Sequence, residues 1–239
     1  TALERDLAGL TNVWSADPSH SSKACSLTAS QRYGRMVLDL RLRTVKDRAL
    51  GPIAESLAGR IAPLTLSVIS MLLCVGAGVL AWQSAPALAV LCWLTGRLLD
   101  GLDGPVARSS GQDSDVGGYA DLLLDTIGYA AIPLGVAAGA GDLRHWAIAA
   151  ALLATFYVNT VSLLLLSAIL EKRSNGKAHS AETTTVTLPP ALIEGTETIV
   201  LFALALAIPA WADTFFIIMA LGVVVSVLQR ASAARRLLM

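Results

Sequence analysis

Four aspartates near the middle of the chain are spaced as ligands rather than as scattered surface charges. Asp100 and Asp103 are three residues apart, and Asp121 and Asp125 are four apart. On a helix, either spacing puts both side chains on one face. Only a short stretch separates the pairs, so two antiparallel neighbouring helices would bring all four carboxylates to one spot. Like charges so placed repel, and burial disfavours the ionised form of each. Something positive must sit among them, and the simplest answer is one or two divalent cations. An all-oxygen ligand set suits Mg²⁺, Mn²⁺ or Ca²⁺ better than Zn²⁺. Metals held this way commonly serve phosphate chemistry.

The residues between the aspartates fit a bound phosphate compound. Gly104 and Ala107 leave room beside the first pair, and Gly117 lies one turn before Asp121 on the same face. Arg108 carries the planar fork that suits phosphate. A solvated or salt-bridged boundary cluster is the plainer alternative. Ionisable residues in membrane helices are functional by default, however, and four at this spacing are hard to assign to solvation.

These positions must be held by membrane helices. Of the 239 residues, 54% are hydrophobic and 15% charged, with a mean hydropathy of +0.62. A soluble domain has about 25% charged residues, so lipid must cover part of this chain. Apolar runs of roughly the length a span requires fall at about 62–82, 86–99, 116–140, 146–170, 191–210 and 211–228. The second runs on as a helix into the polar Asp100–Arg108 stretch. The expected fold is an all-α integral membrane protein of six transmembrane helices, 62–239, with a loop of about twenty residues after Glu171. A soluble extension, 1–43, and an amphipathic interfacial helix, 44–61, precede it; Pro52 is a candidate break in that helix.

Basic residues set the orientation. An inside N-terminus places Arg41, Arg43, Lys46, Arg48, Arg60, Arg108, Lys172, Arg173, Lys177, Arg230, Arg235 and Arg236 inside, and only Arg144 outside. The aspartates then face the inner side, and Trp82, Trp146 and Trp211 lie near the outer boundary. Zero net charge gives no reason to expect nucleic acid as a partner. Cys25, Cys74 and Cys92 have no metal-ligand spacing and are read as reduced and structural. His20, His145 and His179 have no partner in sequence and are read as non-catalytic. The polar Tyr157, Asn159, Thr160 and Ser162 of the fourth helix are read as core hydrogen-bonding residues. The start at Thr1 fits a trimmed chain or a removed targeting segment.

At the aspartates the chain resembles the CDP-alcohol phosphotransferases (class I CDP-alcohol phosphatidyltransferases). Their signature, D-x2-D-G-x2-A-R-x8-G-x3-D-x3-D, is matched at every position by Asp100, Asp103, Gly104, Ala107, Arg108, Gly117, Asp121 and Asp125. The resemblance implies a six-helix fold and a role in phospholipid biosynthesis. A CDP-linked donor such as CDP-diacylglycerol would pass its substituted phosphate to an alcohol and release CMP. It implies two ions, Mg²⁺ or Mn²⁺, on Asp100, Asp103, Asp121 and Asp125, with Asp125 also the base. Gly104, Ala107, Arg108, Gly117 and Ser67 would line the nucleotide site. Where the family often has Pro-Asn-x-Leu-Thr, this chain has Pro63-Leu64-Thr65-Leu66-Ser67. The stretch after Asp125, from Thr126 to Pro133, loosely resembles phosphatidylserine synthases of the family. Glu194 and Glu197 are candidates for the acceptor site or for a helix start, in a stretch that resembles an uncharacterised branch.

Membrane lipids are the surrounding partner, and the family often forms dimers. A structural subunit of a larger membrane complex that kept the enzyme fold is the alternative reading, and a metal-dependent transporter a weaker one. The membrane itself is a bacterial plasma membrane or a mitochondrial or other organelle inner membrane.

Overall fold

A computed structural model describes residues 51–175 and 195–238. It is all-helical there, with no strand among the described residues. Six helices follow in order: α1 (Pro63–Trp82), α2 (Pro86–Ser110), α3 (Asp115–Ala140), α4 (Leu143–Asn175), α5 (Gly195–Ala207) and α6 (Ala212–Leu238). Residues 51–57 form a short helical stretch before α1. Its buried Ala54 packs with Leu66 of α1 and with Leu102 and Val106 of α2. The extension 1–43, the start of the amphipathic segment and Glu194 lie outside the described residues.

Among the described residues, four stretches are long and apolar enough to cross a membrane: α1, α3, Leu143–Arg173 of α4, and Pro209–Leu238, which contains α6. The other two expected spans correspond to α2 and α5, which do not meet that measure over the described residues. The C-terminal half of α2 carries Arg97, Asp100, Asp103 and Arg108, and α5 has 13 residues. Two helix ends also differ from expectation. The first turns of the expected loop belong to α4, which runs to Asn175, and α6 runs ten residues past Leu228. The added α6 residues are mostly good helix formers, with Arg235 and Arg236 at the end where cations are favoured. Arg173 of α4 also donates to the final carbonyls of α6, Leu237 at 3.2 Å and Leu238 at 2.8 Å.

Local signals set the turns. Pro63 and Pro86 open α1 and α2, where a missing N–H costs nothing. Gly111 ends α2 at φ +64°, a left-handed conformation that suits glycine. The Ser114 hydroxyl then caps α3 by accepting from the Gly117 N–H at 3.1 Å.

The helices pack around α1. It lies against both α2 and α3, while α2 and α3 have few close backbone approaches to each other. The two aspartate helices are thus neighbours through α1 and through their side chains rather than through close backbone contact. Small residues allow the approach to α1. A Cβ on Gly135 would collide with the backbone of Gly78, its Cα only 2.7 Å away, and one on Gly96 would meet the Cys74 sulfur at 2.8 Å. On the other side α4 pairs with α6, and α5 joins α2 to α6. Phe202 of α5 is the hub there, with ring contacts to Trp93, Tyr129, Phe156 and Phe216 from four other helices. Leucines such as Leu72, Leu91, Leu165 and Leu221 point outward and are exposed. That apolar exterior is the reverse of a water-soluble bundle.

Candidate active site

Asp103 is the most constrained of the four aspartates. It is buried, and both its oxygens accept hydrogen bonds: Oδ2 from the Ser67 hydroxyl at 2.6 Å, and Oδ1 from the Gly104 N–H at 2.6 Å. Ser67 lies on α1, so the central helix fixes a carboxylate of its neighbour. Asp100 and Asp121 join Asp103 in one group whose ligand oxygens all lie within 4.8 Å of one another. The two aspartate helices thus meet through side chains, with α1 taking the close backbone contacts of both.

Asp125 is held differently. Its Oδ1 accepts from Nη1 of Arg97 on α2 at 2.7 Å, and the same nitrogen lies 3.5 Å from Asp100 Oδ2. The Arg97 side chain is only 3% exposed. Its Nη2 donates to the Ser70 hydroxyl at 3.3 Å and to the Cys74 sulfur at 3.2 Å, both on α1. Its guanidinium carbon stands 5.1 Å from the Trp93 ring centre and 4.8 Å from that of Tyr129, a cation–π arrangement.

Sequence reasoning missed Arg97 together with Ser70 and Cys74. One signal was available: an arginine one turn before Asp100, in a helix otherwise apolar up to that point. Its main partner is 28 residues away on another helix, which no spacing reveals.

The other expected residues are placed as follows. Gly104 and Ala107 are half-buried on α2, and Arg108 is exposed near its end, with Nη1 3.4 Å from where a Gly104 Cβ would stand. Gly117 sits in the first turn of α3 as the donor to the Ser114 cap. Glu197 is exposed in the first turn of α5 and is not in the carboxylate group. Thr126 is exposed, with its hydroxyl bonded back to the Leu122 carbonyl at 2.8 Å. His145 lies at the opposite end of the bundle, between Asp142 and Asp213.

The residues present fit a divalent cation. Four carboxylates face one buried guanidinium, which leaves three formal negative charges unbalanced within the cluster. Asp121 Oδ1 is buried and has no hydrogen-bond partner among the described residues, an arrangement that costs free energy unless a cation completes it. The donors are all hard oxygens, as Mg²⁺ and Mn²⁺ prefer.

Known proteins resemble parts of this chain. Over 136 residues the chain is 38% identical to the inner membrane protein YnjF of Escherichia coli, covering 55% of this chain and 61% of that protein. It is 32% identical over 107 residues to an archaetidylinositol phosphate synthase of Pyrococcus horikoshii, covering 44% and 56%. It is 33% identical over 83 residues to a bifunctional IPC transferase and DIPP synthase of Thermococcus kodakarensis, covering 35% and 19%. The chain thus spans less than two thirds of the length of each. The family model for CDP-alcohol phosphatidyltransferases matches residues 60–228, a stretch that takes in α1 through most of α6 and every aspartate of the cluster. By that match, the protein belongs to the CDP-alcohol phosphatidyltransferase family.

Proposed function

We propose that this protein is a membrane transferase of phospholipid biosynthesis. It moves a phosphatidyl group from a CDP-linked lipid such as CDP-diacylglycerol to an alcohol and releases CMP. The observation that carries the reading is the gathering of Asp100, Asp103 and Asp121 within 4.8 Å, with Asp125 beside them.

Asp100, Asp103 and Asp121 would hold Mg²⁺ or Mn²⁺, one or two ions, with Asp125 completing the set. Such ions polarise phosphoryl oxygens and offset the charge that grows on the departing CMP. Ser67 and Gly104 keep Asp103 in a fixed orientation, so this ligand is preorganised. Arg108, next to the room left by Gly104 and Ala107, suits the nucleotide phosphates; Gly117 and Ser67 bound the same end. Asp125 takes the proton of the acceptor hydroxyl. The acceptor oxygen then bonds to the lipid-side phosphorus as the bond from that phosphorus to the CMP oxygen breaks. A carboxylate is a weak base for an alcohol, and positioning supplies much of what its pKa does not.

One relative is named for making archaetidylinositol phosphate, so inositol phosphate heads the list of acceptors. Glu194 and Glu197 are the candidates for contacting it or another head group. The inner face of a bacterial or organelle inner membrane is the proposed setting, as the basic-residue asymmetry suggests. The test uses purified protein, CDP-diacylglycerol, Mg²⁺ or Mn²⁺, and a panel of inositol phosphate, glycerol phosphate, serine, ethanolamine and phosphatidylglycerol. CMP release with one acceptor, abolished in Asp125→Asn, is the expected result. No CMP release with any acceptor would sink the assignment in favour of a structural subunit.

A further inference from the structure

Arg97 has no assigned part in the reaction, yet it is the buried cation of the site. Its guanidinium is clamped on three sides: by Asp125 on α3, by Ser70 and Cys74 on α1, and by the faces of Trp93 and Tyr129. A buried arginine is costly unless its partners repay the lost hydration, and here Nε has no hydrogen-bond partner among the described residues. Such a group is hard to explain as packing, because an apolar residue would fill the space at less cost. What the arginine does that an apolar residue could not is hold a carboxylate. It grips one oxygen of Asp125 at 2.7 Å and stands 3.5 Å from Asp100, which gathers with Asp103 and Asp121.

We propose that Arg97 is a positioning residue: it fixes the Asp125 carboxylate in place beside the Asp100–Asp103–Asp121 group and braces it against α1. This deepens the transferase reading and rests on it for the identity of the reaction. The physical link is direct. α2 and α3 barely pack on each other, so Asp125 needs a tether to reach a constant position relative to the ligands on α2. Arg97 supplies that tether from α2 itself, one turn from Asp100. The fork geometry matters, since only a planar group with several N–H donors reaches Asp125 and the two α1 side chains together.

The role makes opposite demands on binding and on turnover, and that separates it from a structural one. Arg97→Gln removes a positive charge beside the metal ligands, so Mn²⁺ should bind as tightly as in the wild type or more tightly. Turnover at saturating Mn²⁺ should fall by about 10- to 100-fold, the usual effect of losing a group that orients a ligand or base, with the KM for CDP-diacylglycerol little changed. Arg97→Lys keeps the charge but not the fork. Its Mn²⁺ affinity should match the wild type while turnover stays at least about 10-fold down.

Mn²⁺ binding is read by calorimetry on detergent-purified protein, and turnover by CMP release. Undiminished turnover in Arg97→Gln would overturn the proposal. So would Mn²⁺ binding that weakens in step with turnover, or a raised KM at constant kcat, which would mark a substrate contact. A melting cycle tests the pairing without any activity. In metal-free protein, Arg97→Gln should lower the melting temperature, and adding Asp125→Asn should recover part of that loss, because it removes the carboxylate left unpaired. Strictly additive effects would refute the pairing even if wild-type protein released no CMP.

Discussion

A methyl group added at Gly135 should disable a site well removed from it. Gly135 lies ten residues beyond Asp125 on α3, about 15 Å along the helix axis. Its ideal Cβ would collide with the carbonyl group of Gly78 and come within 2.7 Å of the Gly78 Cα. These are backbone atoms of a continuous helix, so no rotamer change relieves the clash and the helices must separate by roughly 1 Å. Overpacking of this kind costs about 1–3 kcal/mol. The same displacement moves Asp121 and Asp125 on α3 relative to Ser67, Ser70 and Cys74 on α1. A misplacement of about 1 Å can lower turnover by about 100-fold. Gly135→Ala should therefore melt several degrees lower than wild type in detergent and release CMP about 100-fold more slowly. Gly76→Ala is the control. It lies on α1, two residues from Gly78, and a Cβ there meets nothing within 4 Å. Replacing a helical glycine where there is space should leave stability unchanged or raise it by up to about 1 kcal/mol. If Gly135→Ala melts and turns over like Gly76→Ala, then the close crossing of α1 and α3 does not position the site.

Two further substitutions probe the scaffold from other directions. Ser67→Ala removes a buried hydrogen bond to a carboxylate, worth about 1.5–3 kcal/mol; the melting loss should be largest in EDTA and shrink when Mn²⁺ is added, and an equal loss in both would mean that no cation reaches Asp103. Phe202→Ala empties the place where rings from four other helices meet, so thermal or denaturant unfolding in detergent should show a loss of about 3–5 kcal/mol, and a loss below 1 kcal/mol would contradict its place as the hub.

The helices and the spacing of the aspartates within each pair were legible because both depend on local order. Hydropathy marks an apolar run wherever it lies, and a separation of three or four residues places Asp100 beside Asp103 whatever surrounds them. The ends of α4 and α6 were less legible because they are amphiphilic. Gln229 through Leu238 reads as a polar tail, yet it continues a helix whose last carbonyls are bonded by Arg173, 64 and 65 residues away. The partners of the aspartates were hidden for the same reason. Ser67, Ser70 and Cys74 look like ordinary small residues of an apolar helix, and their polar function exists only when α2 is laid against them. Arg97 is the sharpest case. Taken alone, it is one more cation near a membrane boundary; its meaning comes from Asp125, on a helix whose backbone its own helix hardly approaches.

That last relation accounts for the form of the site. Two carboxylate helices packed directly on each other would have filled the space between them with side chains, leaving no room for a phosphate compound. Here α1 takes the close contacts instead. Gly78 against Gly135, and Gly96 against Cys74, draw both helices onto α1. Only side chains then bridge the interval between α2 and α3. An interval held open in this way needs cross-links, or the opposed carboxylates would push it wider. Arg97 is one such cross-link, from α2 to Asp125. A cation bound by Asp100, Asp103 and Asp121 would be the second, from α2 to Asp121. The two differ in kind, because the arginine is permanent and the cation exchangeable. The α2–α3 gap should therefore be narrower and less mobile with metal than without it. Spin labels on the exposed Ser109 and Tyr119 would report this as a sharper and shorter distance distribution on adding Mg²⁺. An unchanged distribution would mean that the three carboxylates are held together without a cation.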